Sequence, residues 1–206
     1  MIAGERELER ASAPAQPGGR DPAPGDLGLV QSFINSHYDL EHEHGGELLA
    51  TPAALSEWLS AHRLIARADF GPRDLRRAVE VREALRTLAR ANNDVGQSAT
   101  VEAALAALNE AANGSAVELR FHRAGARFVP AGRADLDSAI GVLLAIVAAA
   151  MIDGSWSRLK VCPGRHCGWA FYDHSRNQSG RWCSMAVCGG RAKARAHYRR
   201  RRAGAE

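Results

Sequence analysis

Cysteine is missing from the first 161 residues of this 206-residue chain. Acidic residues are nearly missing from its end, where only Asp173 and Glu206 lie beyond Ser155, against 12 Lys and Arg. Residues 1–155 carry 21 acidic and 15 basic side chains, so the formal net charge of +4 conceals an acidic body of −6 and a basic tail of +10. A tail of that kind most often meets a polyanion. Long apolar runs are lacking too. The longest uncharged stretch, Ser138 to Ile152 between Asp137 and Asp153, is too short to cross a bilayer and reads as a buried helix. Glu5, Arg6, Glu7, Glu9 and Arg10 do not follow the basic-then-apolar order of a secretory signal, so a cytoplasmic location with no membrane partner is expected. No nucleophile elbow, phosphate loop or dinucleotide fingerprint occurs, and an enzyme is not expected.

What is present suits one ordinary domain and a small module. A hydrophobic fraction of 46% with 24% charged residues is that of a globular chain able to bury a core. Through Asp26 the sequence is rich in Ala, Pro and Gly, holds Pro14, Pro17, Pro22 and Pro24, and reads as a disordered leader over residues 1–26. Helical spacing begins with Leu27, Val30, Phe33 and Ile34. Thr51-Pro52 and Gly71-Pro72 open two further helices, the second alternating Leu75, Val79, Leu85 and Leu88 with Arg76, Arg77, Arg82 and Arg86 up to Asn92-Asn93. Val101, Leu105 and Leu108 mark a fourth helix, and Asp135 to Met151 a fifth, apolar on nearly every side. Between them Val117, Leu119 and Phe121, a turn at Ala124-Gly125, and Arg127 to Val129 form a β-hairpin. Residues 27–153 therefore read as a helical domain with one hairpin, and a separate module begins near Trp156. The acidic, histidine-bearing stretch His37 to His44 lacks a helical His-x-x-x-His pair and reads as a solvated loop.

All four cysteines fall in that module as Cys162-x4-Cys167-x15-Cys183-x4-Cys188. Two short-range pairs flanking a loop can give a tetrahedral ion two thiolates each, so one Zn2+ held by four cysteines is the leading expectation. Two disulfides, an iron–sulfur cluster or an unliganded redox set are the alternatives, with disulfides disfavoured in a reducing compartment. His166 and His174 could each replace a thiolate, but four cysteines already fill a structural site. Trp169, Phe171 and Tyr172 sit at strand spacing and Asn177, Ser179 and Gly180 suit a turn before Arg181-Trp182, which suggests a treble-clef-like hairpin with the aromatics as core. After Gly189-Gly190 a basic helix follows. Arg176, Arg181, Arg191, Lys193, Arg195, Arg199, Arg200, Arg201 and Arg202 are the candidate nucleic-acid contacts, suited more to phosphate neutralisation than to base reading.

The stretch Leu159-Lys160, Cys162, Cys167, Trp169, Phe171-Tyr172-Asp173, Ser175, Asn177, Arg181-Trp182-Cys183-Ser184-Met185, Cys188-Gly189, Arg191, Lys193 and Tyr198-Arg199 resembles the CGNR zinc finger. Upstream, Phe33-Ile34-Asn35-Ser36 and Leu48-Leu49-Ala50-Thr51-Pro52 to Trp58-Leu59 resemble the ABATE domain of stress-induced transcription regulators. Together the two resemblances cover nearly everything after residue 26. They imply Cys162, Cys167, Cys183 and Cys188 as zinc ligands and a role in transcription. The family's Cys-Gly-Asn-Arg is here Cys188-Gly189-Gly190-Arg191, so the asparagine is lost. The expected architecture is mainly α (α+β): a helical N-terminal domain, residues 27–153, then a small zinc module, residues 156–206, ending in a basic helix. The expected function is a zinc-dependent binder of double-stranded DNA, its N-terminal domain sensing a small-molecule effector or mediating association, with a homodimer as one form. An RNA- or ribosome-associated protein and a thiol-based redox or zinc sensor are the alternatives.

Overall fold

The computed structural model describes residues 16–38, 46–93, 98–123, 125–131 and 135–203. Residues 1–15 of the expected leader and Asp39 to His44 of the acidic stretch lie outside them. Among the described residues five α-helices precede the cysteines: α1 (Leu27–Ile34), α2 (Pro52–Ala61), α3 (Pro72–Ala91), α4 (Ser98–Asn113) and α5 (Leu136–Ile152). Their starts follow local chemistry. The Thr51 hydroxyl accepts the Ala54 N–H at 3.1 Å, the Asp74 carboxylate accepts the Gly71 N–H at 2.8 Å, and the Asp135 carboxylate accepts the Ser138 N–H at 3.0 Å. Each satisfies a donor that the first helical turn leaves without an intrahelical partner. Pro52 and Pro72 occupy first-turn positions, where a missing N–H costs nothing.

α3 touches each of the other four helices, and α5 packs against α1, α3, α4 and a β-hairpin. That hairpin pairs β3 (Val117–His122) with β4 (Gly125–Pro130), in register from Val117 opposite Pro130 to His122 opposite Gly125. A second, two-residue ladder was not foreseen: β1 (His37–Tyr38) pairs with β2 (Gly46–Glu47), too short to leave a periodic signal. Arg82 on α3 grips it from below, its Nη1 and Nη2 each 2.7 Å from a Glu47 oxygen.

The cysteine-bearing segment packs directly on the helical body. Strands β5 (Leu159–Val161) and β6 (Ala170–Tyr172) pair antiparallel, with Leu159 opposite Tyr172, Lys160 opposite Phe171 and Val161 opposite Ala170. Because side chains alternate across a strand, the hairpin is a shared wall. Leu159, Val161, Ala170 and Tyr172 enter the same core as Phe33, Leu85 and Ile140, while Phe171 faces a second cluster formed with Trp169 and the four cysteines. The pairing also differs from the expected one, since the partner of Ala170–Tyr172 is Leu159–Val161 rather than the segment at Arg181-Trp182. After Cys183 a turn at Met185–Gly189, which carries Cys188, leads into α6 (Gly190–Ala203).

Residues 16–26 correct another expectation. They are not a loose leader but run across the cysteine-bearing segment, with Ala23 buried in the main core. Composition suggested disorder because large apolar residues are scarce there; polar contacts hold the segment instead.

Candidate metal centre

Cys162 leaves β5 and Cys167 closes a tight knuckle, in which the Cys167 N–H donates to Gly164 O at 2.9 Å and the Cys162 N–H to Trp169 O at 2.9 Å. A Cβ on Gly164 would stand 3.1 Å from the Cys188 sulfur, a tight approach that the absence of a side chain relieves. Of the second pair, Cys183 precedes and Cys188 lies on the Met185–Gly189 turn, whose start Ser184 caps by accepting the Val187 N–H at 3.3 Å. All four sulfurs are buried and lie within 4.8 Å of one another. The Cys167–Cys183 and Cys183–Cys188 sulfur separations are both 3.6 Å. Disulfide sulfurs would be about 2.05 Å apart. Four sulfurs about 2.3 Å from one tetrahedral zinc would be separated by about 3.8 Å. The donor set therefore fits Zn2+, and with four thiolates it leaves no open coordination position. Proton sharing among the sulfurs, with Cys162 foremost, pushes the Cys167 and Cys183 thiols far above the usual range. A cation removes that conflict by replacing the shared protons.

Each knuckle is held by an arginine from outside the cysteine-bearing segment. Arg86, on α3, donates to Gly168 O beside Cys167 and also to Ile34 O at 2.6 Å and His37 O at 2.7 Å. Arg20 donates to Cys183 O at 2.7 Å and Trp182 O at 3.0 Å. Side-chain amides add to the clamp. Asn35 pairs with the backbone of β6, accepting the Ala170 N–H at 2.7 Å and donating to Ala170 O at 2.8 Å. Asn93, at the end of α3, donates to Val161 O and Arg181 O. Sequence reasoning found the four ligands from spacing but missed these partners, for which no local pattern exists. The only hints were the polar Asn35 and Ser36 beside an apolar helix face and the paired asparagines ending α3.

A buried ion pair orders the loop after β6. Lys160 Nζ lies 2.9 Å from Asp173 Oδ2 and also donates to Gln178 O and Gly180 O. Burial would raise the Asp173 carboxyl, but hydrogen bonds from the Ser175 hydroxyl, Lys160, and the Ser175 and Gly180 N–H groups hold it well below the usual carboxylate range. The loop carries Arg176, and Arg181 follows it; both are exposed. Arg191, Lys193, Arg195 and Arg199 to Arg202 lie on α6 and are exposed as well. Arg191 and Arg195 share a small cleft over Cys167 and Cys188 with Arg165 and His166, of which Arg165 was not among the expected contacts. Trp169 and Phe171 are buried, which makes them core and not a stacking surface. Among the described residues no other group of His, Cys, Asp or Glu is placed to hold a metal, and no helix is long and apolar enough to cross a membrane.

Comparison with known families agrees with this geometry. Residues 158–201 match the CGNR zinc finger. Residues 27–154, more than half of the chain, match ABATE, described as "Putative stress-induced transcription regulator". A search of curated proteins finds no match. The cysteine set and the family match agree on one Zn2+ bound by Cys162, Cys167, Cys183 and Cys188. The helical body, the shared hairpin wall and the closed four-cysteine centre are thus those of a chain that belongs to the ABATE family and ends in a CGNR zinc finger.

Proposed function

We propose that this protein is a zinc-dependent regulator that binds double-stranded DNA through α6 and the adjoining basic loop, while residues 27–153 sense a ligand or mediate association. One observation carries the reading. Among the described residues α6 packs chiefly on the Met185–Gly189 turn at its start and presents exposed Arg191, Lys193, Arg195 and Arg199 to Arg202 around most of its circumference. A helix of 14 residues is about 21 Å long, enough to lie in a major groove with cations facing both phosphate walls. Such contacts give affinity and register; base choice would rest on few side chains, with Arg176, Arg181 and Arg191 first among them. A closed zinc site supports a binding role over a catalytic one, and four reduced cysteines suit a cytoplasmic location.

RNA is the competing ligand. Single-strand recognition relies on exposed aromatic platforms, and here the Trp169, Phe171 and Tyr172 rings are buried, leaving Tyr198, 63% exposed beneath Arg202. That arrangement favours a duplex. The test is selection of the zinc-loaded protein against a randomised duplex pool at near-physiological salt, with binding then measured across salt concentrations. A recovered motif is expected. Replacing Arg199 to Arg202 together with Ala should reduce the steepness of the log K against log salt line by about 3.6. An unchanged slope, or tighter binding of single-stranded RNA than of duplex DNA, would overturn the assignment.

A further inference from the structure

Residues 16–26 lie outside both matched family segments, which begin at residues 27 and 158, yet they hydrogen-bond to Trp182, Cys183 and Trp169 of the cysteine centre. The segment starts at Gln16, whose side-chain oxygen accepts Trp169 Nε1–H at 3.0 Å and Gln31 Nε2–H at 2.9 Å. It ends in the main core, where buried Ala23 donates its N–H to the Gln31 side-chain oxygen at 2.6 Å. Gln31 thus ties both ends of the strap to α1.

Between these anchors the chain crosses the second cysteine knuckle. Gly18 sits at φ +74°, and a Cβ there would stand 2.9 Å from the hydroxyl oxygen of Ser184, the residue that caps the knuckle turn. Only glycine satisfies both the backbone and the approach. Two residues on, Arg20 donates Nε–H to Cys183 O at 2.7 Å and Nη2–H to Trp182 O at 3.0 Å, and its guanidinium lies 4.9 Å from the centre of the Phe171 ring. The planar fork of arginine is pre-organised for two such acceptors, and hydrogen bonds from a charged donor are the strong ones. One side chain therefore fixes the peptide leading into a zinc ligand and the ring packed beneath the sulfurs. It also sets a positive charge beside a centre that carries a net −2 when four thiolates hold one Zn2+.

We propose that residues 16–26 are a third structural part of the zinc site, a strap in which Arg20 is the positioning residue for Cys183 and governs how readily the metal leaves. The strap is held by polar contacts and one buried alanine, without a disulfide or a strand pairing, so zinc retention responds to a segment that contains no ligand. This inference depends on the zinc site alone and stands or falls independently of DNA binding.

The test uses the full-length, zinc-loaded protein challenged with a coloured chelator well below its thermal transition. Arg20→Ala should release zinc about tenfold faster, the loss expected when about 1.4 kcal/mol of charged hydrogen bonding to the ligand peptide is removed. Arg20→Lys, which keeps the charge but not the fork, should fall between this variant and the parent. Gly18→Val, which leaves Arg20 in place but displaces the strap, should reproduce the acceleration. The protein loaded with Co2+ in place of zinc supplies a second readout, since its thiolate-to-cobalt bands report sulfur geometry. They should shift in Arg20→Ala and return part of the way in Arg20→Lys. Release rates within about a factor of two of the parent in both Arg20→Ala and Gly18→Val, a difference too small for one lost hydrogen bond, would overturn the proposal. An equal acceleration in Arg67→Ala, which removes only the exposed Arg67–Glu57 pair, would overturn it as well, because the effect would then be general loosening.

Discussion

Lys160 shows how one residue's meaning depends on its surroundings. In the sequence it is a member of the basic tail, yet it is 5% exposed and its ammonium is spent on Asp173 and two loop carbonyls. Asp173→Asn would leave that cation buried without its counter-charge, at a cost of about 3–5 kcal/mol, measurable as a lower urea midpoint for the zinc-loaded protein. The pH dependence should change with it. Because the folded carboxyl titrates below its unfolded value, its contribution is complete above about pH 4 and is lost as pH falls toward the folded pKa. The parent should therefore lose stability over that acid range more steeply than Asp173→Asn, and equal slopes would show that the pair contributes nothing. Arg82 and Arg86 teach a related lesson. Their spacing on α3 reads as part of an ordinary charged helix, but both are buried, and burial depends on what Glu47, Ile34 and Gly168 bring to them.

At the scale of elements, the helices were legible because caps and apolar spacing are local. The Thr51-Pro52 and Gly71-Pro72 starts and the Val117 to Val129 hairpin all occur where their patterns indicate. The β5–β6 pairing was not legible. Three-residue strands carry too little periodicity, and a lysine between two aliphatic residues looks like one wet face rather than a second buried one. Gly190 poses a different question, since the family places asparagine there. It opens α6 at φ −61° and ψ −48°, an ordinary helical conformation, and a Cβ would meet nothing nearer than Met185 O at 3.5 Å. Gly190→Ala should thus stabilise the helix by about 0.5–1 kcal/mol. A rise in thermal midpoint with unchanged zinc content is the expected outcome. A fall would mean that the absence of a side chain is required there.

For the whole molecule, the shared wall makes zinc binding and folding of the helical body one problem. Reading the charge reversal near Trp156 as a domain boundary predicts that loss of zinc melts the tail alone. The common core of Phe33, Leu85, Ile140, Leu159, Val161 and Ala170 predicts otherwise. Structural zinc sites supply a large share of local folding energy. Cys183→Ser, or removal of zinc by a chelator, should therefore lower the thermal midpoint of the entire chain by at least about 10 °C. Hydrogen exchange provides the decisive reading: amide protection in α1 and α3 should fall together with protection in β5 and β6. Unchanged protection in α1 and α3 would show that the wall does not couple the two halves.

The sequence by itself determined the metal chemistry, the basic helix, the caps and most helix positions, because these depend on residues a few positions apart. Spacing brings Cys162 to Cys167 and Cys183 to Cys188, and charge marks α6, whatever the rest of the chain does. Only the tertiary structure decided that the finger and the helical body share the β5–β6 hairpin, and that residues 16–26 reach the backbone beside Cys183. Those outcomes rest on contacts between residues far apart along the chain, 82 positions for Arg86 and Gly168 and 163 for Arg20 and Cys183. The acceptors there are backbone carbonyls, which every residue possesses and no sequence pattern distinguishes.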